Sequence, residues 1–383
     1  MRPGTPGFVG ARLKEAREAR GMTAPTLAQI LGITRAAISQ YENGQTSPGP
    51  DVLRRLSLVL GLPTDFFLKK RDGRKHNVFF RSKAATTVAA RTRAGVLLEW
   101  LADILQALSL RLQFPLLRLP TLDLPQDPQR LGPHLIEDAA RETRRHWGLG
   151  DGPISNVVWL LENNGIIVTR GEIEEPHMDS FSRYDAEDPV PFIFLNADKS
   201  SAVRSRFDAA HELGHCVLHR HIPQEYWSTD AKVRLRELQA HRFAGAFLLP
   251  RDTFADDVLI PSLETFMALK RKWLVSASAM LVRCEGIGLV SDEHAVRLWR
   301  SLGRRGWKTW EPLDDELPAE MPRLLPKAIE AIAEASADGP QAFLKLTALS
   351  AQDAATLTML PIEQFVELKD SNLVQFRLRS PGS

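Results

Sequence analysis

The chain has 383 residues, 44% hydrophobic and 25% charged, a balance that excludes disordered and fibrous classes and leaves room for two or three cores. No apolar run approaches the roughly 18 residues that a membrane span needs, and Met1-Arg2-Pro3-Gly4 opens no apolar signal core. The reading is therefore a cytoplasmic protein with no membrane partner. The net charge is only +2, but residues 1 to 76 hold thirteen Lys/Arg against six Asp/Glu, so the N-terminal module is basic and the rest mildly acidic. Two cysteines, Cys216 and Cys284, are too few for a disulfide framework or a four-cysteine zinc knuckle. Both are expected to be buried thiols.

From Val9 to Leu68 apolar residues recur at helical spacing in short runs broken at Gly21, Gly32, Gly44 and Gly61, which predicts an all-helical bundle. Within it, Thr23 to Gly44 has the form of two helices joined by a tight turn. Thr23 caps the first, Pro25 sits in its first turn, Gly32 lets the chain reverse, and Thr34 caps the second. Leu27, Leu31, Ile33 and Ile38 supply the core between them, and small Ala28 lets them approach. The face left outside carries Thr34, Arg35, Ala36, Ser39 and Gln40, of which Arg and Gln can each make a bidentate contact to a base edge in a major groove. This stretch resembles the DNA-binding domain of the Cro and lambda-repressor family, also called the xenobiotic-response-element family, through Ser39-Gln40-Tyr41-Glu42-Asn43-Gly44. The resemblance covers about residues 8 to 68 and implies duplex DNA as a partner and a homodimer as the binding form.

A basic stretch, Lys69 to Lys75, reads as a solvated linker that closes the first module at residue 76. Residues 77–149 read as a helical connector: an amphipathic helix from about Val88 to Leu112, then a Pro- and Leu-rich extended connection over 115–133. Residues 150–300 change pattern to α+β. A helix from Ile154 to Asn164 stops at Gly165 before the β-branched string Ile166 to Thr169, and a second strand is expected at Pro191 to Asn196. That second strand is expected to form the edge of a substrate cleft or a buried core strand. Two strong helices follow, about Val203 to His219 and Val233 to Leu249, and residues 301–383 read as a helical C-terminal region ending in an apolar-faced helical pair. The fold class expected is mainly α with a small β-sheet.

His211-Glu212-Leu213-Gly214-His215 lies inside the first of those strong helices. An i, i+4 pair puts both imidazoles on one face, close enough to share a zinc ion, with Glu212 beside the open position to take a proton from water. Two residues compete for third ligand. His221 has the spacing of the metzincin pattern, but Leu218 stands where that pattern needs Gly. Glu237, on the next helix, can be brought in by an antiparallel helix pair and is preferred. His219 reads as an imidazole favoured by a helix C-terminus, His241 as a residue that orients a ligand by hydrogen bond, and Cys216 as core.

Arg206 to His219, followed by Ala240 to Pro250, resembles the ImmA/IrrE family of zinc metallopeptidases over about residues 150 to 300. That resemblance implies His211, His215 and Glu237 as zinc ligands and Glu212 as general base. It also implies a function: cleavage of a helix-turn-helix repressor in a stress or mobile-element response. The leading expectation is a DNA-binding regulator with a zinc-dependent endopeptidase domain. The rivals are a transcription factor whose zincin-like domain senses or is structural, and an antitoxin-type DNA-binding regulator.

Overall fold

The computed structural model describes residues 4–70, 78–82, 87–172, 178–184, 190–197, 201–336 and 339–366. Four helices, α1 (Gly10–Ala19), α2 (Ala24–Leu31), α3 (Arg35–Glu42) and α4 (Pro50–Leu60), form the N-terminal bundle and end in a 3-10 turn at Thr64–Leu68. There follow β1 (Val78–Ser82), α5 (Val88–Ser109), α6 (Pro133–His146), α7 (Val157–Asn163), β2 (Ile167–Gly171), β3 (Met178–Arg183) and β4 (Phe192–Asn196). The metal motif falls on α8 (Ala202–Leu218), which is followed by α9 (Asp230–Leu248), α10 (Arg251–Asp257), α11 (Leu263–Trp273), α12 (Ala277–Ile287) and α13 (Asp292–Arg304). The chain continues through α14 (Leu324–Glu334), α15 (Pro340–Thr347) and α16 (Ala351–Thr358). The fold is thus mainly α with one small sheet.

That sheet has the order β1-β3-β4-β2, with β2 and β4 parallel and the other two pairs antiparallel. Strand periodicity sorts its side chains onto two faces. Ile167, Phe181, Phe192 and Phe194 join the core made by α5, the N-terminal bundle and α14 to α16, while Val168, Ile193 and Leu195 join the core under α8 and α9. Every residue of β4 is buried, and its neighbours are β3 and β2. Of the two places expected for it, a cleft edge or the buried core, β4 takes the core; the antiparallel strand beside α8 is β3, and β1 lies along its outer edge. Two strands escaped the sequence reading, and one of them, β1, falls inside the segment expected to be a helical connector.

Between the sheet and the N-terminal bundle, α5 is a buried layer. Trp100 on α5 is fully buried with its ring centroid 5.5 Å from that of Phe66, and Arg12 of α1 reaches Asp103 of α5 at 2.7 Å. Arg20 makes two 2.7 Å bonds to Asp353 at the start of α16. Residues after 300 also divide. Buried Lys270 pairs with Glu311 at 3.0 Å and Asp314 at 2.6 Å, and Glu320 pairs with Arg206 of α8 and accepts from the first amides of α7, so this stretch straps the half that carries α8. Helices α14 and α15 pack instead with α5, and α16 packs on β2. The boundary placed at residue 300 falls within α13. Residues 115 to 127 hold no regular element, as expected, before a 3-10 turn at Pro128–Arg130. Of the basic stretch, Arg71 to Lys75 lie outside the described residues, as do residues 367–383 of the expected terminal helical pair. No described helix is long and apolar enough to cross a membrane.

Candidate metal centre

The pairing of α8 with α9 builds the centre. Gly214 faces α9, where a Cβ would stand 3.1 Å from the Ala240 carbonyl oxygen and from a Phe243 ring carbon, so its missing side chain is what lets the helices approach this closely. The approach brings Glu237 over the paired histidines. Among the described residues one group of three metal-ligand side chains converges, His211, His215 and Glu237. His211 Nε2 lies 3.1 Å from His215 Nε2 and 3.2 Å from Glu237 Oε2, and His215 Nε2 lies 3.6 Å from the same oxygen. Tetrahedral zinc with bonds near 2.05 Å separates its ligand atoms by roughly 3.3 Å, so two imidazole nitrogens and a carboxylate oxygen at these spacings fit that ion and leave a fourth position open. His221 is placed elsewhere, its Nε2 3.4 Å from the Pro125 carbonyl oxygen.

A chain of hydrogen bonds sets the tautomer of His215. The carbonyls of Pro128 and Leu131 can only accept, so the group they hold at 2.7 and 3.1 Å is the amide nitrogen of Gln239. Its oxygen therefore faces His219 Nε2 at 3.1 Å and accepts from it. His219 Nδ1 is then the acceptor for His215 Nδ1, also 3.1 Å away, which leaves the Nε2 lone pair of His215 aimed at the centre. Burial first, then the neighbouring His215, holds His219 well below the usual imidazole range, so it stays the neutral relay this chain requires. His219 thus does more than sit at a helix end, and Gln239 is a functional candidate that sequence reading missed.

Arg236 holds the other oxygen of Glu237 at 3.0 Å. Burial pushes the Glu237 carboxyl up, but His215 and His211 outweigh it and hold it well below the usual range. Glu237 keeps 28% of its side chain exposed, whereas His211, His215 and Glu212 are at 2%, 0% and 0%. Both Glu212 oxygens accept hydrogen bonds from β3, from Ser180 Oγ at 2.6 Å and Ser182 Oγ at 2.5 Å. Burial raises the Glu212 carboxyl above its usual range, against His215 and the two hydroxyls, which lower it. His241 lies tilted against Phe207, with its ring centroid 6.4 Å from that of His211. Cys216 and Cys284 are free and buried, and burial pushes the first thiol up and the second up to about 12.

In the N-terminal bundle, Thr23 and Thr34 accept from Thr26 and Ala37 amides as helix caps, and Gly32 takes the left-handed backbone of the turn at φ 62°. Leu27, Ala28, Leu31 and Ile38 are buried between α2 and α3. Arg35, Ala36, Ser39 and Gln40 of α3 and its N-cap Thr34 are all exposed. Glu42 fastens α3 to α1 through two bonds to Arg17, at 2.6 and 3.0 Å.

Two family models match the chain: a helix-turn-helix model at residues 13–67 and the IrrE N-terminal-like domain, a peptidase family, at residues 165–285. The protein therefore joins a helix-turn-helix domain to an IrrE N-terminal-like domain. Curated relatives include the SPbeta prophage-derived HTH-type transcriptional regulator YonR of Bacillus subtilis (strain 168), 43% identical over 60 residues, which are 16% of this chain and 56% of that protein. The HTH-type transcriptional regulator ImmR of the same organism is 38% identical over 69 residues, 18% of this chain and 54% of its own. An HTH-type transcriptional regulator of Sinorhizobium medicae (strain WSM419) is 35% identical over 65 residues, 17% and 47%. The chain spans about half the length of the curated relatives it matches.

Proposed function

We propose that this protein is a cytoplasmic DNA-binding regulator, acting as a homodimer on duplex DNA, whose second domain is a zinc-dependent endopeptidase directed at a transcriptional repressor. The observation that carries the reading is the donor set: His211, His215 and Glu237 at the spacing of a three-ligand zinc site, with Glu212 on the same helix. Zinc, when bound, supplies a Lewis acid that makes a water more acidic and polarises a carbonyl. Glu212 takes the proton released as the water oxygen bonds to the scissile carbon, and hands it to the amine nitrogen as the C–N bond breaks. Ser180 and Ser182 hold its carboxylate in line, and its raised proton affinity suits a base that must accept near neutral pH. The names of the relatives support transcriptional regulation, and the prophage origin of one supports a mobile-element setting for the repressor.

A second reading, a regulator whose zinc site senses a signal without cleaving peptide, is favoured by the complete enclosure of Glu212 and the engagement of both its oxygens. Three variants separate the two. Glu212→Gln should keep about one zinc per chain and normal DNA binding, yet lose cleavage of the repressor by about 10²–10⁴ in rate. His211→Ala and Glu237→Ala should lose zinc itself. Normal induction by Glu212→Gln in cells, with every candidate repressor intact, would leave the sensor reading standing.

A further inference from the structure

The outer edge of β3 is already taken. Ser180 and Ser182 place β3 against Glu212, and its inner edge is paired with β4, so a peptide laid along β3 at the candidate centre must use the outer edge. There β1 runs antiparallel to it, with Phe79 opposite Ser182 and Arg81 opposite Ser180, the two residues that hold Glu212. In this arrangement His211, His215 and Glu212 are buried, and of the four candidate residues Glu237 keeps part of its side chain exposed.

We propose that the outer edge of β3 is a docking edge for an extended peptide and that β1 is its resident occupant, which an incoming peptide must displace; this rests on the peptidase reading of the site. Ladder hydrogen bonds run between main chains, so a second strand recovers what β1 gives up and the exchange is nearly neutral in bonds. What favours β1 is its tether. The helix-turn-helix before it is fixed to α5 by Arg12 and Asp103 and by the packing of Phe66 on Trp100, and α5 itself begins six residues after β1 ends, at Val88. Both ends of the segment are thus anchored to one body, which gives β1 an effective concentration on the order of millimolar at the edge. Two features make it displaceable. It is only five residues long, and its register breaks between Arg81 and Ser82.

The test uses the zinc-loaded full chain and two probes, acetohydroxamate, which needs only the metal, and an extended peptidyl hydroxamate, which also needs the edge. Neighbouring residues of a strand point their amides to opposite sides, so Phe79→Pro with Phe80→Pro removes a ladder donor whichever residue faces β3. That variant should bind the peptidyl probe at least tenfold more tightly than the parent and acetohydroxamate equally well. A second variant, Ser82→Cys with Met178→Cys, joins registered partners. It should refuse the peptidyl probe when oxidised and accept it when reduced; Cys216 and Cys284, both buried, are poor competitors for that bond. Equal peptidyl affinity in the parent, the proline variant and the oxidised variant would overturn the proposal. So would a cut within residues 71–86 on zinc loading, which would make β1 a substrate. Failure of acetohydroxamate to bind any of them would instead bring down the peptidase reading beneath it.

Discussion

At the scale of single residues, the centre depends on groups that touch no metal. His219 and Gln239 carry the direction of two fixed backbone carbonyls to the ring of His215. Removing either leaves His215 free to turn over or to hold its proton on the wrong nitrogen. His219→Ala should therefore weaken zinc affinity by about 10–100-fold while the fold stays intact, and Gln239→Leu should act in the same direction. Competition with a coloured chelator measures both, and unchanged affinity in His219→Ala would show the relay to be idle. Their part in the site was hard to read: His219 follows the pair one turn on along the same face but also suits a helix end, and Gln239 lies 20 residues further on and meets it only because two helices pack. The paired histidines of the candidate centre were legible, since an i, i+4 pair carries its geometry in its spacing.

Elements announced themselves where local chemistry fixes them. Thr23, Gly32 and Thr34 mark the ends of α2 and α3 by capping and turn geometry, so the exposed face of α3 could be named before its surroundings were known. Arg35→Ala and Gln40→Ala should each cost about 1–3 kcal/mol on the preferred duplex, with far less effect on random DNA. Selection of that duplex from a random pool, followed by mobility-shift titration at one fixed salt concentration, measures it; equal losses on both DNAs would move recognition off α3. Strands β1 and β3 were not legible, for a physical reason. In β3 the positions that face the α8 layer are Ser180 and Ser182, polar because they serve a buried carboxylate, so the alternation of apolar residues that marks a half-buried strand is inverted. An apolar run fixes burial but says nothing about which strands lie beside it, so β4 was legible as a core strand and not by its place in the sheet order.

For the whole molecule, the sequence divides the chain into modules that the core then joins. The N-terminal bundle, α5 and α14 to α16 share one cluster of buried side chains, and buried Arg12 reaches from one module into the next. Calorimetry of the metal-free chain should show one unfolding transition for these parts. Trp100→Ala, which empties the middle of that cluster, should destabilise it by about 3–5 kcal/mol and weaken DNA binding near the melting temperature, although Trp100 is remote from the recognition face. A separate, unshifted transition of the bundle in this variant would mean that the domains are thermally independent.

The shared helix α5 also has a genetic consequence. A screen scored only on loss of operator binding should return temperature-sensitive alleles in α5 and α16 as well as contact alleles in α3, because Asp103 and Asp353 hold Arg12 and Arg20 of the DNA-binding half. Alleles in α5 should fail together in any phenotype of the second domain, since one turn back from Asp103 the same helix pairs Glu99 with Arg183 of the sheet. Alleles in α3 should not. Inheritance of the two defects as one unit, or as two, then maps the shared core in living cells.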